Sequence, residues 1–506
     1  MPNLLYDALF APLAGRAGVL MTLADGRGIG GDAFLALILR QAEALAGLGV
    51  VKGDRIAVQV AKCPEALALY GAAVALGAAF LPLNTAYTAA EVGYFLENAQ
   101  PKVFVCDGAK AAALAPVAEA QGARLVTLNA DGSGEMSDLA AGCVGSVAVA
   151  DCGADDLAAI LYTSGTTGRS KGAMLSHRNL LSNAEVLLRE WRFTAEDVLL
   201  HALPIFHTHG LFVASNLALL AGARMIWLPG FEAGAVFAAL PKATVMMGVP
   251  TFYTRLLEEP GLTRDLVGHM RLFISGSAPL LAETHEAWEA RTGHRILERY
   301  GMTETNMNTS NPYEGERRAG TVGFPLPGVE RRILAEGREV PAGEVGMIEV
   351  RGPNVFGGYW QMPEKTAEEL RADGWFITGD LGKRDADGYV HIVGRAKDLV
   401  ITGGYNVYPK EVEMVLDEVP GVAESAVIGV PHPDFGEAVF AVLVAQKGVA
   451  LEVGAVLGAI AGQLARFKQP KAAVVVESLP RNTMGKVQKN LLRDQYRRWF
   501  AGQGEI

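Results

Sequence analysis

Residues 163–172 read TSGTTGRSKG and follow directly on the apolar segment AAILY at 158–162. The glycines allow several backbone N–H groups to turn toward one point, and the Ser and Thr hydroxyls add further donors. Lys171 supplies a mobile cation at the end of the loop. Together these groups predict a concave anion site that suits a polyphosphate. The residues assigned to it are Thr163, Ser164, Gly165, Thr166, Thr167, Gly168 and Lys171.

This loop differs from the common nucleotide motif G-x-x-x-x-G-K-[ST]. In that motif a Ser or Thr follows the lysine and binds magnesium, whereas Lys171 precedes a glycine. A Ser/Thr/Gly turn taken alone is more often a plain connection between two elements. The length, the order and the terminal Lys-Gly pair favour phosphate binding here.

Short apolar segments alternate with longer helical patterns on both sides of the loop. The predicted strands are 55–60, 79–83, 103–106, 125–128, 244–248 and 272–275, and the predicted helices include 64–76 and 109–120. This alternation is typical of parallel sheets covered by helices. The last two strands end at turns, where doubly wound sheets place their ligand loops. The predicted fold class is α/β, with two doubly wound subdomains.

The pattern changes from about residue 322, where Gly, Pro and short β segments dominate. The segments 329–333, 346–351 and 389–393 predict a small β-barrel. A separate α+β pattern follows, with helices at 409–417 and 451–464 and strands at 425–430, 439–444 and 473–476. We predict a large N-terminal domain over 1–394, a boundary at 395–398 and a small C-terminal domain over 399–506.

Length and charge limit the possible partners. The chain has 506 residues, too many for one compact core, and a formal net charge of −10. This charge argues against nucleic acid and anionic membranes, because a phosphate backbone needs a clustered basic surface. A site for an anion must therefore concentrate positive charge locally.

The sequence favours a reducing, cytoplasmic environment. The four cysteines have no C-x-x-C spacing, and residues 1–11 lack the basic and apolar regions of a signal peptide. The most apolar window, 64–83, contains Glu65 and Gly77 and ends near Pro82. We predict a buried helix and a strand there, and no membrane partner.

Four further motifs follow the phosphate loop in a fixed order. They are YGMTE at 300–304, TGD at 378–380, GRAKD at 394–398 and PRNTMGK at 480–486. Any one of them could arise by chance, but all five in register resemble the adenylate-forming superfamily of acyl-CoA synthetases, luciferases and peptide-synthetase adenylation domains. The resemblance covers nearly the whole chain. It implies that the protein uses ATP and coenzyme A as co-substrates and Mg²⁺ as a cofactor.

The resemblance also implies roles at the nucleotide. Tyr300 would lie against adenine, and Thr303 would contact the α-phosphate. Glu304 would hold Mg²⁺, with Thr163 as the second candidate ligand. Alone, Tyr300 is equally consistent with a core aromatic residue, and Glu304 with a solvated surface charge.

Asp380 resembles the carboxylate that accepts hydrogen bonds from the ribose, and Arg395 resembles its partner at the ribose and phosphate. Taken alone, Asp380 is also consistent with a simple turn.

Lys486 matches the C-terminal lysine that bridges the attacking carboxylate and the α-phosphate. A carboxylate attacking a triphosphate brings like charges together, and an ammonium group stabilises that transition state. In the family the C-terminal domain rotates between adenylation and thioester formation, about a hinge that Lys397 matches. Gly404 would face the pantetheine channel after rotation, although a flexible turn is an equally simple role for it.

The acid pocket decides the substrate. The candidate residues are His207, Arg255, Ser277 and Arg299. An arginine keeps its proton and is expensive to bury without an anion, so two at an acid pocket predict a second carboxylate on the substrate. The alternative is that they pair with protein acids, with Glu298 and Glu304 as candidates.

The segments around these residues resemble malonyl-CoA synthetases, in which the matching residues hold malonate with His207 close by as a catalytic candidate. Ser170 departs from the wider superfamily, which usually has proline before the loop lysine. It accompanies Arg169, for which both substrate and phosphate contact stay open, and both residues occur in malonate enzymes. His209 is assigned a structural role. The predicted substrates are malonate, with methylmalonate as a further candidate, ATP and CoA, with no obligatory protein partner. Three alternatives remain, namely a monocarboxylate synthetase, an enzyme that loads a carrier protein in trans, and a non-catalytic sensor.

Overall fold

The computed structural model describes residues 2–163, 170–402, 405–433, 435–464, 466–482 and 485–500. The predicted site residues Ser164, Gly165, Thr166, Thr167, Gly168 and Gly404 lie outside these ranges. Internal contacts divide the chain into two units. Unit 1 comprises Met1–Glu330 and Val350–Phe376, and unit 2 comprises Arg331–Glu349 and Ile377–Ile506.

The strands of the described residues, in chain order, are β1 (Val19–Leu23), β2 (Gly28–Gly30), β3 (Arg55–Gln59), β4 (Ala79–Pro82), β5 (Val103–Cys106), β6 (Arg124–Thr127), β7 (Leu157–Thr163), β8 (Lys171–Ser176), β9 (Val198–His201), β10 (Arg224–Trp227), β11 (Val245–Gly248), β12 (Leu272–Ser275), β13 (Leu297–Met302), β14 (Asn306–Ser310), β15 (Phe324–Pro325), β16 (Glu330–Ala335), β17 (Arg338–Glu339), β18 (Gly346–Arg351), β19 (Phe376–Arg384), β20 (Val390–Arg395), β21 (Val400–Thr402), β22 (Tyr405–Val407), β23 (Val422–His432), β24 (Gly436–Ala445) and β25 (Ala472–Val476).

The α-helices are α1 (Leu4–Leu9), α2 (Gly31–Gly47), α3 (Pro64–Leu76), α4 (Ala89–Ala99), α5 (Gly108–Ala120), α6 (Glu135–Ala141), α7 (His177–Glu190), α8 (Asn216–Ala221), α9 (Ala233–Ala239), α10 (Pro250–Leu257), α11 (Arg264–Val267), α12 (Ala282–Thr292), α13 (Pro363–Glu369), α14 (Pro409–Asp417), α15 (Val453–Ile460) and α16 (Lys489–Tyr496). Short 3₁₀ turns span Ala11–Leu13, Leu240–Lys242 and Ala396–Asp398, and a π-helical segment spans His209–Ser215.

Helix α3 and strand β4 form the apolar window of the sequence. Pro64 occupies the first helical turn, where its missing N–H costs nothing, and Gly77 ends the helix with a φ of 67°. Nearly every residue of α3 is buried, which explains why its composition is apolar on all sides. Among the described residues, no helix is both long enough and apolar enough to cross a membrane.

Two sheets form unit 1. The six-stranded sheet has the order β6-β5-β3-β4-β7-β8, and only β7 and β8 pair antiparallel. The nine-stranded sheet has the order β15-β14-β13-β12-β11-β9-β10-β1-β2. Its strands from β13 to β1 are parallel, and both edges are antiparallel. The predicted α/β architecture is confirmed.

The pairing of β7 with β8 changes the setting of the phosphate loop. Thr163 and Lys171 are opposite each other at the end of this antiparallel pair. The described residue that follows the loop, Lys171, therefore begins a strand rather than a helix.

Two five-stranded sheets follow. The first, in the region where the sequence predicts a small barrel, has the order β17-β16-β18-β19-β20. The second joins β22, β21, β24 and β23, with β25 paired to β24. Apolar residues of α14 and α15 cover one face of the second sheet, and Leu492 of α16 covers the other. The small α+β domain is confirmed, although β23 is longer and α15 shorter than predicted.

Candidate active site

Four neighbouring parallel strands bring the predicted acid-binding residues to one edge of the nine-stranded sheet. Strands β9, β11, β12 and β13 are adjacent, and the carboxyl ends of parallel strands lie at the same edge. The residues at these ends are His207 and His209 after β9, Arg255 after β11, Ser277 after β12 and Arg299 within β13.

Arg299 is a buried cation with no counter-ion among the described residues. Only 4% of its surface is exposed, and its Nε and Nη2 atoms have no hydrogen-bond partner in the described part of the chain. The guanidinium packs on the backbone of Gly276, where an added Cβ would lie 2.3 Å from Arg299 Cζ. Burial lowers the pKa of Arg299 to about 9, so the group remains protonated at neutral pH.

The two acids that the sequence offered as partners for Arg299 are engaged elsewhere. Glu298 Oε1 lies 3.6 Å from His285 Nδ1 and accepts a hydrogen bond from the backbone N–H of Gly320. Glu304 Oε1 lies 3.0 Å from the Tyr359 hydroxyl oxygen. No ion pair joins Arg299 to either acid within the described ranges, so the internal-pairing alternative is not observed there.

His209, assigned a structural role from the sequence, contacts a predicted acid-binding residue. Its Nδ1 atom lies 3.2 Å from Ser277 Oγ. Burial, reinforced by the charge of Arg299, lowers the pKa of His209 well below its ordinary value and keeps the ring neutral. If Ser277 donates to Nδ1, the ring hydrogen lies on Nε2, which then becomes a donor.

The π-helical segment His209–Ser215 is held in place by the side chain of His201, which in turn contacts Lys62. His201 Nε2 lies 3.0 Å from the carbonyl oxygen of Gly210, and Lys62 Nζ lies 2.8 Å from His201 Nδ1. The Lys62 ammonium also lies 4.2 Å from the centre of the Trp227 ring. These contacts hold the backbone at Gly210 and thereby position the adjacent His209. π-helical turns of this kind are frequent at functional sites.

The remaining two predicted acid-binding residues differ in their settings. His207 Nδ1 accepts a hydrogen bond from the backbone N–H of His209 at 3.4 Å. Arg255 is exposed on α10, and its guanidinium carbon lies 5.9 Å from the centre of the Phe231 ring. The structure thus groups Arg299, Ser277 and His209 and leaves Arg255 at the surface.

Five buried polar atoms at this edge of the sheet have no hydrogen-bond partner in the described part of the chain. They are Thr208 Oγ1, His209 Nε2, Ser275 Oγ, Arg299 Nε and Arg299 Nη2. A buried polar atom without a hydrogen bond costs free energy, and such atoms are rare in native proteins. Most of them can donate, so the arrangement suits a ligand that is rich in acceptors, such as a carboxylate.

The predicted adenine and phosphate residues occupy the hairpin that joins β13 to β14. Tyr300 follows Arg299 directly and pairs with Thr309 across the hairpin. Side chains alternate between the faces of a strand, so Tyr300 and Arg299 point to opposite faces. Thr303 and Glu304 lie in the turn, and Glu304 is buried. One hairpin therefore carries both the predicted acid-binding cation and the predicted nucleotide residues.

Lys171 belongs to a polar cluster that the sequence did not predict. Its ammonium lies 3.0 Å from both carboxylate oxygens of Glu369 and 3.1 Å from the Tyr359 hydroxyl oxygen. The same hydroxyl lies 2.6 Å from Glu369 Oε2. Burial and the two neighbouring carboxylates, Glu304 and Glu369, raise the pKa of Tyr359, which therefore stays protonated.

The chemistry of Glu304 fits a magnesium ion that is bound together with a nucleotide. No group of three or more His, Cys, Asp or Glu side chains suitable for a metal occurs in the described ranges. Mg²⁺ commonly uses one or two protein carboxylates plus phosphate oxygens and water, so one buried carboxylate is sufficient. Glu304 and Thr163 remain the predicted ligands.

In unit 2 the predicted ribose residues form an ion pair. Asp380 and Arg395 are opposite each other on β19 and β20, and Arg395 Nε lies 2.8 Å from Asp380 Oδ1. Asp380 is buried, and its backbone N–H donates to the Thr378 hydroxyl. The strand register fixes the carboxylate in place.

The other predicted residues of unit 2 lie near the surface. Lys397 is exposed in the 3₁₀ turn Ala396–Asp398, and neighbouring Asp398 forms an ion pair with Arg493. Lys486 is exposed, and its backbone N–H donates to Asn482 Oδ1. An exposed lysine in a tight turn can move without disturbing a core.

Ser277 offers a test that separates stability from acid binding. It has a φ of +71°, a conformation that favours glycine, and its hydroxyl contacts His209. In Ser277→Gly, relief of strain should offset the lost contact, so the free energy of unfolding changes by less than about 1 kcal/mol. The KM for the acid substrate should rise about tenfold through the loss of one hydrogen bond.

The matched variant is Ser277→Ala, which keeps the Cβ and the strained backbone but lacks the hydroxyl. Thermal unfolding and steady-state kinetics of both variants provide the measurement. We expect the same rise in KM and a lower stability than in Ser277→Gly. An unchanged KM in both variants would show that the hydroxyl has no role in acid binding.

Comparison with known proteins identifies the class. The AMP-binding enzyme family matches residues 22–360, and the AMP-binding enzyme C-terminal domain matches residues 411–486. The chain therefore belongs to the AMP-binding enzyme family.

Individual relatives narrow the comparison. The crystal structure of ATP-bound MatB from Rhodopseudomonas palustris matches with a TM-score of 0.97 and 58% identity, over 99% of this chain and 100% of that chain. The malonate–CoA ligase of Arabidopsis thaliana is 40% identical over 67% of this chain and 60% of its own length. The mitochondrial malonate–CoA ligase ACSF3 of Mus musculus is 37% identical over 85% of this chain and 80% of its own length.

Proposed function

We propose that this protein is an ATP-dependent malonate–CoA ligase. In the first half-reaction, one malonate carboxylate attacks the α-phosphate of ATP, which gives malonyl-adenylate and releases pyrophosphate. In the second, the CoA thiol attacks the adenylate, which gives malonyl-CoA and AMP. The similarity to two malonate–CoA ligases and to MatB supports this assignment.

The observation that carries the substrate assignment is Arg299. A buried guanidinium without an acid is expensive, because an unpaired charge in a low-dielectric environment loses its hydration. A second carboxylate on the substrate would supply two acceptors in the planar geometry that a guanidinium prefers. Malonate is a short dicarboxylate whose two carboxylates are separated by one methylene, so Arg299 could hold one of them while the other is adenylated.

The nucleotide residues would have two roles, recognition of ATP and stabilisation of the negative charge at the phosphates. We assign adenine contact to Tyr300, α-phosphate contact to Thr303 and ribose binding to Asp380. Mg²⁺, held by Glu304, would reduce the repulsion between the incoming carboxylate and the triphosphate when bound. Lys486 would supply the ammonium that stabilises the crowded transition state.

The second half-reaction requires a different arrangement of the same chain. We propose the domain limits 1–394 and 399–506, with a hinge at 395–398 that contains Lys397. The exposure of Lys397 and the short 3₁₀ turn around it are compatible with backbone rotation there. We also propose a cytoplasmic location, which the free cysteines Cys63, Cys106, Cys143 and Cys152 support.

The direct test incubates purified protein with ATP, Mg²⁺, CoA and one acid, and quantifies AMP by chromatography and the thioester by mass spectrometry. We expect AMP and malonyl-CoA in equal amounts with malonate, and little product with acetate or medium-chain acids. A strong preference for acetate would remove the dicarboxylate assignment. Thioester formation on a carrier protein's pantetheine but not on CoA would replace the ligase with a carrier-loading enzyme.

A further inference from the structure

Glu369 is a partner of the phosphate-loop lysine Lys171, and no role was predicted for it from the sequence. Its carboxylate receives both hydrogen bonds from the Lys171 ammonium at 3.0 Å. The two side chains are 17% and 22% exposed, so water screens the pair only in part. The loop cation is thus held in an ion pair within unit 1.

Tyr359 contacts both members of the Lys171–Glu369 ion pair. The Lys171 ammonium lies 4.1 Å from the centre of its ring, which adds a cation–π contact, and the hydroxyl lies 2.6 Å from Glu369 Oε2. Burial alone would raise the pKa of Glu369, but the hydrogen bonds from Tyr359, Lys171 and Lys365 bring it below its ordinary value. Glu369 is therefore a charged competitor for Lys171.

A second cation is already in contact with Glu369. Lys365 Nζ lies 3.0 Å from Glu369 Oε1, one turn earlier on α13, and it also lies 2.6 Å from Glu368 Oε2. If Lys171 left, Glu369 would still be paired with Lys365 and hydrogen-bonded by Tyr359. Release of Lys171 thus leaves no uncompensated charge.

We propose that Glu369 is a positioning residue that sets nucleotide affinity by competing with the triphosphate for Lys171. On ATP binding, the Lys171 ammonium moves from the Glu369 carboxylate to a phosphate oxygen, and Lys365 remains as the cation of Glu369. This inference rests on the proposed use of ATP. It assigns a role to three residues of unit 1, Lys171, Glu369 and Lys365, in one exchange of ion pairs.

The test measures the Kd of a non-hydrolysable ATP analogue with Mg²⁺ by calorimetry. Glu369→Gln keeps the shape and the acceptor for Tyr359 but removes the competing charge. We expect about tenfold tighter binding than in the wild type, because the lysine no longer has to leave an ion pair. Glu368→Gln is the matched control, because Glu368 is exposed and contacts Lys365, and its Kd should stay within about twofold of the wild type.

Lys365→Met tests the second half of the exchange. Without Lys365, the loss of Lys171 would leave Glu369 with no cation, so nucleotide binding should weaken about threefold. In a protein that already carries Glu369→Gln, the addition of Lys365→Met should leave the Kd of the analogue unchanged. This coupling distinguishes an exchange of partners from a general loss of structure.

Weaker or unchanged nucleotide binding in Glu369→Gln would overturn the inference. If that variant fails to fold, Glu369→Asp serves instead, because its shorter side chain cannot keep both contacts to Lys171, and tighter binding is again expected. The calorimetric assay needs no acid substrate. A wild-type protein that binds the analogue but makes no malonyl-CoA would therefore contradict the proposed function and leave this test intact.

Discussion

Arg299→Met should lower kcat/KM for malonate by about a thousandfold, while the KM for ATP changes less than about threefold. Methionine keeps much of the volume of the buried side chain but cannot bind a carboxylate. Removal of one member of a desolvated charge pair costs about 3–5 kcal/mol, because the other charge is left without a partner. Steady-state kinetics with AMP detection, varying malonate and ATP separately, provide the measurement.

Arg291→Met is the matched control. Arg291 is also in unit 1, but it donates to the backbone carbonyls of Leu257, Glu259 and Leu262 and therefore has a structural role. We expect this variant to unfold at a lower temperature with an unchanged KM for malonate. Equal increases in the KM values for malonate and ATP in Arg299→Met would instead assign Arg299 to the nucleotide or to folding.

Lys486→Ala should nearly abolish adenylate formation, by about a thousandfold or more, while nucleotide binding is retained. The ammonium is needed when the carboxylate approaches the phosphate, and less in the ground state, so the loss appears in kcat. Malonate-dependent exchange between pyrophosphate and ATP isolates this half-reaction, and calorimetry measures ATP affinity. Wild-type exchange rates in the variant would remove the role assigned to Lys486.

Lys489→Ala controls for a general effect on unit 2. Lys489 lies three residues after Lys486 and forms an ion pair with the buried Glu413. Its loss should lower thermal stability and leave the exchange rate unchanged when measured well below the unfolding temperature. Equal loss of activity in both variants would point to damage in the small domain.

Much of the fold follows from local sequence. The bounds of α3, α14, β5 and β12 agree with the prediction, because proline, glycine and apolar runs mark both ends of these elements. The antiparallel pairing of β8 with β7 was not predicted. A strand's partner is chosen by long-range contacts, which neither periodicity nor composition specifies.

Only some residues of the site were predicted, because long-range contacts also decide which side chains meet there. The motifs identified Arg299 and Ser277, and the parallel strand order explains why they share one edge. His209 was assigned a structural role because its contact with Ser277 joins residues 68 positions apart. Glu369 was not considered, because its pairing with Lys171 spans 198 positions.

Arg255 shows the opposite limitation. Its position on α10 and its charge made it resemble a substrate residue, but the structure places its side chain at the surface. Spacing along a helix specifies which face a residue shares with its neighbours, and it does not specify whether a long side chain turns toward a pocket. Its role in malonate binding therefore remains a prediction.

The most direct measurement is the ratio of kcat/KM for malonate to that for propionate with the purified wild-type protein. Propionate has the same carbon chain, with a methyl group in place of the second carboxylate. Arg299 is a buried guanidinium with no acid partner among the described residues, so the site should favour malonate by at least about a thousandfold. A ratio near one, or a preference for propionate, would contradict the assignment of Arg299 to the second carboxylate.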